Sequence, residues 1–243
     1  MHMLPVAFAM VLLYTAGMYL NDVFDLDHDR IERPERPLPS GVVRPKTAVV
    51  VSVVLFVIGA GLLAVVSQAA FVSGLVLVGL IVLYDAWHKG NPVGPVLMAS
   101  TRALVYVTSF LAFSSAINNV LFWVGAMAIF YVAGLTAVAR HEARPRMSTW
   151  WPVACLLVPL AWFAWTLPLG WSWVLLAVFA VWVVHALVLV HRGIVGPAIV
   201  RLIVGIALFD ALILVANGFH TGVIAAFGAF CLALLLQRNI KGT

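Results

Sequence analysis

The sequence predicts an all-α membrane protein, a polytopic bundle of about nine transmembrane helices, and three observations support this fold class. The chain of 243 residues is 64% hydrophobic and only 9% charged, whereas a soluble domain carries about 25% charged residues. Its apolar stretches are long and unbroken, which predicts membrane helices and excludes the alternating pattern of a barrel. The few basic residues recur in alternate loops, as they do in a polytopic protein.

The apolar stretches define nine candidate spans, several of them shorter than the usual ~20 residues. Twelve of the fourteen Lys and Arg residues lie in the odd-numbered connections or at the C-terminus, and the even-numbered loops have none. The positive-inside rule therefore places the odd connections in the cytoplasm. The predicted spans are residues 4–20, 47–66, 69–84, 95–113, 120–139, 150–168, 171–190, 197–216 and 220–237.

The stretch directly after the first span, residues 21–30, holds four of the nine acidic residues. At 100° per residue on a helix, Asp25 lies at about −60° and Asp29 at about −20° from Asp22, so these carboxylates share one face, while Asp27 points away. Carboxylate oxygens grouped in this way suit Mg²⁺, which is usually completed by waters and substrate phosphates. The alternative is a solvated acidic cap on a transmembrane helix, which does not need three carboxylates in register.

Few charges lie inside the spans, and an intramembrane charge is a functional candidate. Arg102 is about two helical turns from the cytoplasmic face, where it could hold a phosphate or form an ion pair with Asp210. For Asp210, an ion pair, a hydrogen bond within the bundle and a role in the acceptor site remain open. Two further cytoplasmic loops, residues 84–92 and 140–146, combine carboxylates with cations and so favour an anionic, metal-bound headgroup.

Other chemistries are disfavoured. The histidines show no HExxH or paired spacing for zinc or haem, and there is no Walker loop or dinucleotide fingerprint. The two cysteines, Cys155 and Cys231, lie in apolar runs and predict no disulfide. The net charge of +5 reflects cytoplasmic loops that face anionic membrane lipid, so no nucleic-acid partner is predicted.

The motif Asn21-Asp22-x-x-Asp25-x-x-x-Asp29, followed by Arg36-Pro37-Leu38-Pro39-Ser40-Gly41, resembles the first signature of the UbiA superfamily of intramembrane prenyltransferases. Tyr84 and Lys89 are similar to the Tyr…Lys element of that family, and Arg102 lies on the following helix. Tyr84-Asp85 with Lys89, and Arg140-His141-Glu142, most resemble the EboC-like subgroup.

The resemblance implies one prenyltransferase-like domain over residues 1–243, a helix bundle around a central cavity that opens to the cytoplasmic face. It implies Mg²⁺-dependent transfer of a prenyl group from a polyprenyl diphosphate to a small-molecule acceptor, often aromatic. It also implies an integral membrane protein, which we expect in a bacterial inner membrane. The implied roles are: catalytic, Asp22, Asp25, Asp29 and Tyr84; metal-binding, Asp22, Asp25, Asp29 and Glu142; substrate-binding, Asn21, Arg36, Lys89, Arg102, Arg140 and Arg144.

The chain departs from the family pattern in three places. The second Asp-rich motif is reduced to Glu142 in the loop of residues 140–146, so Arg140 and Arg144 would bind diphosphate directly or ionising power would fall. The Tyr84…Lys89 spacing is one residue longer than the common one. The acidic motif follows the first helix instead of the second, which implies that the family's N-terminal helix is missing.

Two rival hypotheses remain, and the reduced second motif motivates the first of them. One is a catalytically degenerate relative that binds or presents an isoprenoid lipid. The other is transport of a metal ion or an anionic lipid, which is less favoured because the outer half of the chain is almost uncharged.

Overall fold

A computed structural model of the chain describes residues 3–114, 117–140 and 150–239. In those residues the regular structure consists of ten helices and no strands. They are α1 (Met3–Phe24), α2 (Leu26–Glu32), α3 (Pro45–Val66), α4 (Gln68–Trp87), α5 (Gly94–Leu111), α6 (Asn119–Ala139), α7 (Trp151–Thr166), α8 (Ser172–His191), α9 (Val195–Ala216) and α10 (His220–Asn239).

The all-α prediction is confirmed. Each of the nine predicted spans corresponds to one long helix, and the short α2 is an addition. Seven helices of the described ranges are long and apolar enough to cross a membrane. Helix α5, which contains Arg102, and α7, which has only 16 residues, are not among those seven. The number of nine spans therefore stays a prediction.

The chain forms two compact units, Met1–Ala126 and Met127–Thr243, with the boundary inside α6. We call them unit 1 and unit 2. The expectation of one domain over residues 1–243 stays a prediction, and so does the central cavity.

Unit 1 is held together by close packing of α1 against α3. The Ser52 hydroxyl of α3 donates a hydrogen bond to the Ala16 carbonyl of α1 at 2.8 Å. At Gly59 an added Cβ would lie 2.8 Å from Cδ2 of Leu13 and 3.3 Å from the Ala9 carbonyl oxygen, so a larger residue would require the buried Leu13 side chain to shift. Small residues permit this approach in membrane helices, where packing replaces the hydrophobic effect as the driving force.

Unit 2 is organised around buried aromatic rings. Tyr131 of α6 is fully buried, and its ring centroid lies 5.6 Å from that of Phe179 and 5.5 Å from that of Phe209. Its hydroxyl donates to the Leu202 carbonyl at 2.9 Å. The polar end of this large side chain is therefore satisfied inside an apolar core, as buried tyrosines require.

Candidate functional site

The acidic motif lies where α1 ends and α2 begins. The two helices are separated at Asp25, but its φ and ψ of −89° and −3° remain in the right-handed helical region. The Asp25 amide donates to the Asn21 carbonyl, and the Asp29 amide to the Asp25 carbonyl, each at 2.9 Å. The chain therefore keeps its four-residue hydrogen-bond spacing across the break, which leaves the predicted spacing of the carboxylates nearly unchanged.

Arg36 joins two of these carboxylates. Its Nη1 atom lies 2.8 Å from Oδ2 of Asp29 and 3.9 Å from Oδ1 of Asp22. Asp29 is only 5% exposed, and a buried carboxylate needs such a partner. Asp22 and Asp29 thus face one guanidinium, as their helical spacing predicts. Asp27 points away and forms an exposed ion pair with Arg30.

The Arg36–Gly41 segment forms the turns that position this arginine. The Ser40 amide donates to the Arg36 carbonyl at 3.0 Å, and the Gly41 amide to the Leu38 carbonyl at 3.1 Å. Leu38 is buried and anchors the loop. Gly41 has a φ of +79°, a left-handed conformation that glycine adopts at little cost. The proline-rich motif therefore forms compact turns, and its Arg36 lies against the acidic motif.

Asp25 meets the end of α4 instead. Lys89 Nζ lies 2.8 Å from Oδ1 of Asp25, and His88 Nε2 lies 4.0 Å from the same oxygen. The Asn21 side-chain amide donates to Oδ2 of Asp25 at 3.0 Å. The contact between Asp25 and Lys89 brings the acidic motif and the Tyr84…Lys89 element together, although the two are about sixty residues apart in the sequence.

Tyr84, in the last turn of α4, and His88, which directly follows the helix, stack on each other. Their ring centroids are 4.7 Å apart and their planes differ by 17°. His88 Nδ1 lies 3.0 Å from the Tyr84 carbonyl oxygen, which can only accept, so Nδ1 carries the hydrogen. In neutral His88, Nε2 is then the acceptor nitrogen, and it is the atom nearer to Asp25.

Asp85 lies between these two residues and is 6% exposed. Its Oδ2 atom is buried without a hydrogen-bond partner among the described residues. The charge that acts most strongly on Asp85 is the negative charge of Asp25. A buried carboxylate beside another carboxylate is costly unless a cation joins them.

The other predicted site residues are placed differently. Arg102 lies on α5 in unit 1, with its guanidinium carbon 5.1 Å from the centroid of the Tyr106 ring. Arg140 is exposed at the end of α6 in unit 2. Glu142 and Arg144 lie outside the described residues. Their assigned roles stay predictions.

The donor set fits Mg²⁺, although Arg36 and Lys89 lie against the carboxylates here. Carboxylate oxygens are the hard ligands this ion prefers, and the buried Oδ1 of Asp25 has no aligned hydrogen bond among the described residues. In the described ranges no three His, Cys, Asp or Glu side chains converge to hold a metal. Mg²⁺ commonly uses only one or two protein carboxylates, with waters and phosphates as the remaining ligands.

Asp85 and His88 were the site residues that sequence reasoning assigned no role. Both lie in residues 84–92, the loop in which carboxylates and cations occur together, and this pattern could have identified them as site residues. A sequence does not show that Asp85 is buried or that His88 faces Asp25, because both facts depend on how α1 and α4 pack.

Comparisons with known proteins show the family and the fold of this chain. Residues 2–195 match the model of the UbiA prenyltransferase family. The chain is 35% identical over 109 residues to digeranylgeranylglyceryl phosphate synthase of Methanothrix thermoacetophila, which covers 44% of this chain and 39% of that protein. It is 34% identical over 136 residues to the enzyme of the same name in Natronomonas pharaonis, 55% and 46% of the two chains. These matches span less than half of each relative.

Two solved structures share the fold. An apo structure of a UbiA homolog from Aeropyrum pernix K1 has a TM-score of 0.53 at 18% identity and covers 97% of this chain and 89% of its own. A structure described as giving insights into digeranylgeranylglyceryl phosphate synthase in membranes has a TM-score of 0.52 at 19% identity, with 97% and 85% covered. With the family match over most of its length, the chain is a member of the UbiA prenyltransferase family.

Proposed function

We propose that this membrane protein transfers a prenyl group from a polyprenyl diphosphate to a small acceptor in a Mg²⁺-dependent reaction. The observation that carries the proposal is the cluster in unit 1, where Asp22, Asp25 and Asp29 meet Arg36 and Lys89. Family membership supports it. A solvated acidic cap explains the exposed Asp27, but it does not explain a buried Asp29 or the contact of Asp25 with Lys89, which follows α4.

The cluster suits a diphosphate. Mg²⁺, when bound, would offset the negative charge that develops on the leaving group. Its carboxylate ligands would come from Asp22, Asp25 and Asp29, one or two for each ion with water and phosphate as the other ligands. Asn21 would orient Asp25 through their hydrogen bond. Arg36 and Lys89 carry N–H donors that can turn from carboxylate to phosphate oxygens, because both kinds of oxygen accept charge-assisted hydrogen bonds.

The reaction breaks the bond between the allylic carbon and the diphosphate oxygen, and the electron pair leaves with the diphosphate. The acceptor then forms a bond to the allylic carbon and releases a proton. Donors preorganised around the leaving oxygens lower the barrier to the first step. The Tyr84 ring lies one residue from buried Asp85, and its π face would stabilise positive charge on the allylic carbon.

The acceptor is proposed in two chemical classes. An aromatic acceptor follows from the resemblance described above. The curated relatives are named for digeranylgeranylglyceryl phosphate, so a glyceryl phosphate lipid that carries one geranylgeranyl chain is the second class.

The cluster is proposed to face the cytoplasm, because the basic loops favour that orientation. The assignment to a bacterial inner membrane stays a prediction, and the named relatives are archaeal. The EboC-like subgroup stays a prediction as well.

The test is pyrophosphate release by detergent-purified protein. Geranyl, farnesyl and geranylgeranyl diphosphate are each supplied with aromatic acceptors or with geranylgeranylglyceryl phosphate, with and without Mg²⁺. We expect release only with Mg²⁺, a prenylated product by mass spectrometry, and loss of turnover by at least about 100-fold in the Asp22→Asn/Asp25→Asn double variant. The matched control is Asp27→Asn, which removes an exposed carboxylate of the same motif.

Equal turnover in the double variant and the wild type would contradict the proposal. Tight Mg²⁺-dependent binding of the diphosphates without release for any acceptor would favour the rival hypothesis, a degenerate relative that binds isoprenoid lipid.

A further inference from the structure

We propose that Asp85 is an additional metal ligand of the cluster and that it binds a divalent cation together with Asp25. This inference rests on the proposed function, because it names a further residue of the same site. It assigns a role to a carboxylate on α4, outside the acidic motif.

The first argument is the burial of Asp85. Its residue is 6% exposed, and its Oδ2 has no hydrogen-bond partner in the described part of the chain. Leaving a buried acceptor unsatisfied costs about 1–3 kcal/mol, and more for a charged group. A purely structural aspartate at this position would be expected to bond a helix N-terminus or a cation.

The second argument is the position of Asp25. Its Oδ1 is also buried without an aligned hydrogen bond among the described residues, and its negative charge is the one that acts most strongly on Asp85. The two negative charges repel each other, and a divalent cation between them turns that repulsion into attraction. Mg²⁺ needs only one or two carboxylates, with the remaining ligands from water and phosphate.

The third argument is Lys89, whose ammonium lies against Asp25. Its side chain is 46% exposed, and its flexible stem allows the charge to move. When a metal ion binds between the carboxylates, Lys89 can leave Asp25 and contact a phosphate oxygen. The Lys89–Asp25 pair would thus neutralise the site while it is empty of metal.

The experiment is a Mn²⁺ titration of the detergent-purified full chain, followed by electron paramagnetic resonance of free Mn²⁺ and by thermal melting. Mn²⁺ takes the oxygen ligands that Mg²⁺ takes. No prenyl substrate is present, so the result does not depend on turnover. The variants are Asp85→Asn and, as the matched control, Asp27→Asn.

We expect Asp85→Asn to weaken Mn²⁺ binding at least about tenfold and to abolish the rise in melting temperature that Mn²⁺ causes. The metal-free melting temperature should stay equal or rise, because the variant removes an uncompensated buried charge. Asp27→Asn should behave as the wild type in both measurements. Asp85→Ser, which is smaller and also lacks the carboxylate, replaces Asp85→Asn if that variant does not fold.

Two results would overturn the proposal: wild-type Mn²⁺ affinity in Asp85→Asn, or a lower metal-free melting temperature with unchanged affinity, which would indicate a structural role. If the wild-type chain bound no Mn²⁺, the metal dependence of the proposed function would fail too. If metal binding depended on Asp85 but no prenyl transfer occurred, only the proposed function would fail.

Discussion

The two ends of α4 differ in how their polar groups are satisfied. At the turn between α3 and α4, the Ser67 hydroxyl accepts from the Ala70 amide at 3.4 Å and donates to the Leu111 carbonyl at 3.0 Å. One turn further on, the hydroxyls of Ser73 and Thr108 share a hydrogen bond of 2.7 Å in the buried interior. This end, which we call the neutral end, satisfies its polar groups without charge.

The opposite end of α4 and the acidic motif that it contacts, which together we call the charged end, have buried carboxylate oxygens without an aligned hydrogen bond in the part of the chain that the structure describes. The charged end consists of Asp22, Asp25, Asp29, Arg36, Asp85 and Lys89. Asp85 Oδ2 is buried without a hydrogen-bond partner in the described residues, and the buried Oδ1 of Asp25 has the Lys89 ammonium 2.8 Å away but no aligned hydrogen bond there, although neutral side chains would have packed more cheaply. From this difference we infer that the polar groups of the neutral end serve helix packing, whereas those of the charged end are available to bind a ligand.

The largest stability effect is expected for Arg36→Ala at the charged end. It leaves Asp29, which is 5% exposed, without its guanidinium partner. Breaking a buried ion pair from one side costs about 3 kcal/mol, which corresponds to a fall in melting temperature of about 6–12 °C for a chain of this size. Thermal melting of the purified protein measures it.

The control for Arg36→Ala is Arg30→Ala. The Arg30–Asp27 pair has the same chemistry, but its side chains are 58% and 94% exposed, so its loss should change stability by less than about 0.5 kcal/mol. Adding Asp29→Asn to Arg36→Ala should restore part of the lost stability. Equal melting temperatures for the two arginine variants would show that burial does not distinguish these pairs.

A smaller effect, on binding instead of stability, is expected for Lys89→Met. The Lys89 ammonium lies 2.8 Å from Asp25 but is half exposed, so its loss should hardly change the melting temperature. If it turns to the diphosphate, KM for the prenyl donor should rise about tenfold, the equivalent of about 1.4 kcal/mol. Steady-state kinetics measures this, and an unchanged KM would leave Lys89 as a partner of Asp25 alone.

The sequence was sufficient to predict the all-α fold class and to predict that Asp22 and Asp29 lie on one face of a helix. Long apolar runs in a membrane predict helices, whose backbone groups bond within each span. The seven-residue spacing of Asp22 and Asp29, about two helical turns, predicted that they share one face, and both lie against the Arg36 guanidinium. The break at Asp25 was not foreseen, because the sequence contains no glycine or proline there to announce it.

The partners across helices could not be read from the sequence. That Asp25 meets Lys89, and that Asp85 is buried beside it, depends on how the end of α1 packs against α4. Arg36 was placed in the site by a motif, but its contact with Asp29 depends on the path of the turns that follow α2. Helix spacing determines neighbours within one helix, whereas these contacts depend on side-chain packing between helices.

The most direct test of the charged end as the substrate site is binding of geranylgeranyl thiolodiphosphate, an analogue that resists ionisation. Its Kd would be measured by titration calorimetry with and without Mg²⁺ for three proteins: the wild type, Asp22→Asn/Asp25→Asn and Ser73→Ala from the neutral end. We predict Mg²⁺-dependent binding that weakens at least about 100-fold in the aspartate variant and is unchanged in Ser73→Ala. Equal binding by the wild type and the aspartate variant would contradict the account.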